Sequence, residues 1–186
     1  SLSISMDNRF PNAKSDYYET PNMNKILDRG IRFSNGYASS PVCSPTRYSI
    51  QFGKDPASLG RTRGLGPNRV DHNQISIAQV LKAVDNNYQT AHFGKWHIDA
   101  NPSRYGFDYH DGQTGNKEGR FDTSKNNLQW GGYESKDPKL VNRLTSRTVE
   151  FIRTSVAENK PFFVQLSHYA VHSDIVYSKN SFDRLN

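Results

Sequence analysis

Asn87-Tyr88-Gln89-Thr90-Ala91-His92-Phe93-Gly94-Lys95-Trp96-His97 is the stretch on which the reading of the fold turns. Tyr88 to Phe93 is short and β-prone, and a glycine, a cation and an imidazole follow as soon as it ends. Lys95 and His97 are two apart, so at a strand end they can face the same side. Ahead of this run, Ile77, Val80, Leu81 and Val84 fall at i, i+3, i+4 and i+7, one face of a helix that Asp85-Asn86-Asn87 ends. Behind it, Val141, Leu144, Phe151 and Ile152 mark a second amphipathic helix from Pro138 to Glu158. Phe162-Phe163-Val164-Gln165-Leu166 is then a mostly apolar run, as a buried parallel strand should be, and it leads into Ser167-His168-Tyr169-Ala170-Val171-His172. Near the start, Thr20-Pro21 to Gly30 reads as a short helix and Ile31-Arg32-Phe33 alternates like a strand. Helix, strand, helix, helix, strand, helix, strand implies an α/β sheet with crossover connections. Ligands gather beyond the carboxyl ends of strands in such sheets.

A third cluster lies at Cys43-Ser44-Pro45-Thr46-Arg47. Ser44 can cap a helix, Pro45 suits its first turn and Gly53 marks a stop. Cys43 would then sit just before a helix N-terminus, where unpaired N–H groups and the helix dipole favour negative charge. Arg47, four residues on, can point a fixed cation at it. A lone cysteine is more often a small buried hydrophobe, so this cluster needs support from the rest of the chain.

The 186 residues suffice for one domain with a real core. A mean hydropathy of −0.82 makes the chain polar, while 12% aromatic content is too high for a disordered one. The net charge of +6 favours anionic partners. Its lysines and arginines are scattered, however, and no nucleic-acid-binding motif occurs, which ranks a nucleic-acid binder low. The single cysteine excludes an internal disulfide and a multi-cysteine metal cluster. No stretch reaches transmembrane length, and no signal peptide is visible at Ser1-Leu2-Ser3-Ile4-Ser5-Met6. Residues 99 to 137 are rich in Gly, Asn and Asp and read as a long, loop-rich insertion.

The three clusters taken together resemble the type I, formylglycine-dependent sulfatases, of the alkaline-phosphatase-like superfamily. Cys-x-Pro-x-Arg at residues 43–47 resembles the signature in which cysteine is oxidised to formylglycine, and Thr90 with Gly-Lys-Trp-His at residues 94–97 resembles the second signature. The run from Phe162 to His172 is similar to a family strand that ends in a substrate-binding histidine, with His168 the structural one of the two. Gly106-Phe107-Asp108, Thr20-Pro21-Asn22 and Gly30-Ile31-Arg32-Phe33 are similar to family connectors. Three positions depart from the pattern: Asn87 stands for Gly, Asp174 for Pro, and Phe52 for the Thr before Gly53.

The resemblance implies an alkaline-phosphatase-like α/β fold with a mostly parallel central sheet flanked by helices. It implies sulfate monoester hydrolysis, on a sulfated carbohydrate or an aryl sulfate. The hydrated aldehyde at position 43 would attack sulfur, and Arg47 would hold the hydrate. Lys95 would grip sulfate oxygens, His97 would take a proton as sulfate leaves, and His172 would bind sulfate and protonate the leaving alcohol. Ca²⁺ (or Mg²⁺) would be the cofactor, with position 43 one of its ligands. A formylglycine-generating enzyme would be a partner, and the location periplasmic or secreted. No Asp-Asp pair occurs to complete such a metal site, and Asp7-Asn8 reads as a turn. The whole chain, 1–186, therefore reads as part of a sulfatase N-terminal catalytic domain, without its first strand or C-terminal subdomain and inactive alone. Two other classes stay open: a phosphate mono- or diester hydrolase of the same fold, and a non-catalytic binder of sulfated glycans.

Overall fold

A computed structural model describes residues 19–31, 33, 35–64, 69–116, 118, 133–172 and 176–185. The chain forms two compact units, Ser1–Tyr37 and Ala38–Asn186.

In the first unit, helix α1 spans Pro21–Leu27, with Pro at its first position as expected and no buried residue. The strand expected at Ile31-Arg32-Phe33 is not formed by its outer residues: Ile31 and Phe33 are exposed and lie in no strand, and Arg32 falls outside the described residues.

The second unit is built on a parallel sheet. Strand β1 (Gln89–Gly94) lies between β2 (Tyr109–His110) and β4 (Phe162–Ser167), both parallel to it. The β1–β4 register pairs Gln89 with Phe162 and runs to Gly94 with Ser167. A second parallel pair joins β3 (Tyr133–Glu134) to β5 (Val176–Tyr177). Helices α2 (Cys43–Phe52), α3 (Ile77–Val84), α4 (Val141–Ala157) and α5 (Lys179–Leu185) complete it.

Side chains alternate across β1, so each face of the sheet has its own core. Thr90 and His92, both fully buried, point to one face, where His92 meets Trp96 and Phe107 edge-on. That face holds an aromatic cluster of Tyr48 and Phe52 from α2 with Trp96, Tyr105 and Phe107, against which Phe163 packs. On the other face, Ala91 and Phe93 pack with Leu144 and Phe151 of α4, flanked by Phe162, Val164 and Leu166. The expected helix at 138–158 is α4 preceded by a 3₁₀ turn over Pro138–Leu140.

Three local details position the site. Ser44 does not cap α2: the helix begins at Cys43, Val42 is the capping residue, and the Ser44 hydroxyl is buried. Gly53 does end it, in the left-handed conformation at φ 63°. The apolar stripe of α3 is largely exposed at Ile77, Val80 and Val84, because the helix turns Ala78 inward. A capping box of Ser76 and Gln79, and bonds from Ser76 Oγ to the Tyr105 carbonyl and from Gln79 Nε2 to the Arg104 carbonyl, fix that orientation. Finally, residues 101–116, within the loop-rich stretch 99–137, are tied to β1. They contain a 3₁₀ turn (Pro102–Tyr105) and β2, and Asp108 accepts hydrogen bonds from Thr90 N and Oγ1. Gly-Phe-Asp at 106–108 thus buries Phe107 and pins β1.

Candidate active site

The first turn of α2 carries Cys43, which is half-buried and unpaired. Arg47, one turn on, donates from Nη1 to the carbonyl of Lys95, so α2 is tied to the end of β1. Lys95 extends the β1 ladder by one bond, N to the Ser167 carbonyl at 2.8 Å. It is only 3% exposed, and its ammonium lies beside Cys43. Burial pulls the Lys95 ammonium below its ordinary value; Arg47 adds to this and Cys43 opposes it. An anion placed against Lys95 and Arg47 would act in the same sense as Cys43 and favour the charged lysine.

His97 has φ 57°, a left-handed conformation that costs a non-glycine residue about 1–2 kcal/mol. Its imidazole is held below the usual histidine range, by burial first and then by Lys95 and Arg47; Asp99 pulls it upward and His172 lowers it further. A neutral imidazole among cations is suited to accept a proton near neutral pH. His172 is exposed. Its backbone N–H donates to the Tyr169 carbonyl at 3.0 Å. A cavity of ≈ 420 Å³ is lined by Cys43, Thr46, Arg47, Gln165, Ser167 and His172, among others. The structure therefore brings Cys43, Arg47, Lys95, His97 and His172 into one neighbourhood at the carboxyl ends of β1 and β4. His168 is half-buried, with burial lowering its imidazole.

Beneath the site runs a polar seam that the sequence reading missed. Gln51 Nε2 of α2 donates to Gln165 Oε1 at 2.9 Å. Gln165 Nε2 reaches Ser167 Oγ at 3.3 Å, and His92 Nε2 lies 3.2 Å from the same hydroxyl. Burial first, then Arg47, pushes the His92 imidazole down to about 3, so it is neutral. A lone Gln inside the apolar run 162–166 was the signal that could have found this seam. Thr114 and Tyr169 were also missed. Tyr169 is buried against Thr114 and feels the Arg47 charge, and nothing in the sequence marks Thr114.

Among the described residues, no group of three or more His, Cys, Asp or Glu could hold a metal ion. What surrounds Cys43 is nitrogen cations, whereas Ca²⁺ takes six or more oxygens. The described residues therefore do not fit a complete divalent-cation site; Asp7-Asn8 and Asp174 lie outside them.

A parallel sheet with helices on both faces and polar groups at its carboxyl edge defines an open-sheet α/β protein with its site at the strand ends. The Sulfatase family model matches residues 5–184, and the chain belongs to that family. It is 32% identical over 107 residues to an ulvan-active sulfatase of Formosa agariphila, covering 53% of this chain and 19% of the relative. It is 29% identical to an N-acetylglucosamine-6-O-sulfatase of Bacteroides thetaiotaomicron, covering 83% of this chain and 26% of the relative. The chain thus spans about a fifth to a quarter of these relatives. In fold it is similar to the crystal structure of Ps i-CgsB in complex with k-i-k-neocarrahexaose, at TM-score 0.61 and 24% identity, over 80% of this chain and 39% of that one. Among the described residues, no helix is long and apolar enough to cross a membrane.

Proposed function

We propose that the protein of which this chain is the whole or a part hydrolyses sulfate monoesters of a carbohydrate, with formylglycine made from Cys43 as the nucleophile. The observation that carries this reading is Cys43 in the first turn of a helix, with a buried lysine and Arg47 as its electrostatic neighbours. A hydroxyl of the aldehyde hydrate gives up its proton to water as it attacks sulfur, and the S–O bond to the sugar breaks. Lys95 and Arg47 hold the charge that gathers on the sulfuryl oxygens as this happens. His172 gives the departing alcohol its proton. His97, neutral beforehand, then takes the proton of the remaining hydroxyl; the C–O bond to sulfate breaks and the aldehyde returns.

The divalent cation of the family, Ca²⁺ or Mg²⁺, belongs to the same proposal. Position 43 is the one ligand assigned to it, and no step is routed through it. The relatives' names support a sulfated polysaccharide or glycan as substrate, and a net charge of +6 suits a polyanion. Such polymers are met outside the cytoplasm, so the periplasm or the secreted fraction is the proposed location. A formylglycine-generating enzyme is the proposed maturation partner.

The test is a paired assay of the full-length protein, co-expressed with that enzyme, on 4-nitrophenyl sulfate and 4-nitrophenyl phosphate. Faster release from the sulfate is expected, and its loss in Cys43→Ala. Preference for the phosphate would replace this reading with a phosphoesterase of the same fold, and no turnover of either would leave a glycan-binding role.

A further inference from the structure

The conformation of His97 is imposed from outside its own strand, by a segment that belongs to neither signature. Thr114 makes three hydrogen bonds to residues 94–97. Its hydroxyl accepts from Trp96 N at 2.9 Å and donates to the Gly94 carbonyl at 2.6 Å. Its own carbonyl accepts from His97 N at 2.7 Å. The Thr114 side chain also lies beside the Tyr169 phenol, which sits within electrostatic reach of Arg47. The residue is buried, and its loop is anchored on both sides: Gly94 N donates to Asp111 Oδ2 at 2.8 Å, and Gly115 N donates to Glu118 Oε2 at 2.6 Å. Asp111 is in turn paired with Arg147 of α4.

We propose that Thr114 is a positioning residue for His97: one hydroxyl and one carbonyl clamp residues 94–97 into the left-handed turn that presents the imidazole to Lys95 and Arg47. The physical argument is that left-handed backbone is unfavourable for histidine and persists only where its surroundings over-determine it. Here the hydroxyl serves as donor and acceptor at once, so valine, of nearly the same shape, satisfies neither bond. Serine keeps both. Without the hydroxyl, Trp96 N and the Gly94 carbonyl lose their buried partner and the turn relaxes toward ordinary strand geometry, carrying the imidazole away from its place. The loop reaches the site from β2, so the segment that follows the second signature acts on chemistry it does not touch.

This inference rests on the sulfatase reading for its kinetic consequence but not for its geometry, and the experiment separates the two. In the full-length protein, Thr114→Val is expected to lower kcat on 4-nitrophenyl sulfate by about 10- to 100-fold with KM within about threefold, while Thr114→Ser stays within about threefold of wild type. Combined with His97→Ala, Thr114→Val should cost no further turnover, because it acts through that imidazole. Independently of turnover, the ring C–H resonances of His97 (assigned from the His97→Ala spectrum) should move in Thr114→Val and return in Thr114→Ser, while those of His72 stay. If Thr114→Val does not fold, Thr114→Ala, which admits water, takes its place with the same expected signs. Wild-type kcat in the valine variant, unmoved His97 resonances, or a serine variant as impaired as the valine one overturns the proposal. A wild type that releases no sulfate overturns the sulfatase reading instead, and the resonance comparison still decides the role of Thr114.

Discussion

Beyond Gly94 the chain is tied at every residue: Gly94 N to Asp111, Lys95 N to Ser167, Trp96 N and His97 N to Thr114. Beyond Ser167 the parallel strand ends in Tyr169, which is buried, and then in Ala170, Val171 and His172, which are exposed. The two strand ends flank the same cysteine, yet one is fixed and the other open. In the proposed chemistry the fixed end grips sulfate and moves the proton that frees it, and the open end meets the leaving alcohol, the part of the substrate that varies. A site that must hold an invariant group and admit a variable one gains from this division, since precise placement matters most where charge develops.

The largest effects should separate the two ends in turnover. His97→Ala is expected to lower kcat on an aryl sulfate by about 10³-fold, within the range of general acid–base removal. An aryl leaving group needs little protonation, so His172→Ala should cost much less, about tenfold, and cost more on a sugar sulfate. Equal losses on both substrates would erase the contrast. Stability should separate them too. Gly94 has φ 94°, and a Cβ there would run into the carbonyl oxygen of Ser167. Gly94→Ala should cost about 3 kcal/mol or more in denaturant unfolding, whereas Val171→Ala, at a residue 94% exposed, should stay within about 0.5 kcal/mol.

Acid should act on the seam beneath both ends. His92 is fully buried with its imidazole pushed down to about 3. The unfolded chain binds its proton near 6.5, so between 6.5 and 3 the unfolded state holds more protons than the folded one. Stability therefore falls as pH falls through that window, by at most about 5 kcal/mol for this group. His92→Leu should flatten that part of the pH–stability curve. In the same seam, Gln51→Leu or Gln165→Leu alone strands a buried amide and should cost about 1–3 kcal/mol; the double variant should cost less than the sum. The smallest expected effect is at Asp99, whose charge raises the His97 imidazole. Since His97 must be neutral to accept a proton, Asp99→Asn should move the acid limb of the kcat/KM profile to lower pH.

How far the sequence could be read depends on what periodicity reports. A β-prone run at 88–93 and an apolar run at 162–166 located β1 and β4, which are covered on both faces, and a period of 3.6 located α4, which packs one side on a core. The same signal at Ile77, Val80, Leu81 and Val84 found a helix but not its orientation, which Ala78 and the Ser76–Gln79 capping box decide. Cys43, Arg47, Lys95, His97 and His172 were legible because their spacing resembles known signatures. Thr114, Gln165 and His92 were not, since hydrogen bonds across a sheet join residues distant in sequence and leave no period behind.

The central claim is that position 43 is a precursor of the nucleophile, and the most direct test is the mass of the peptide carrying it, taken from full-length protein that is releasing sulfate. The account predicts an aldehyde, in part hydrated, in place of the thiol. An intact thiol in protein that turns over an aryl sulfate would contradict it.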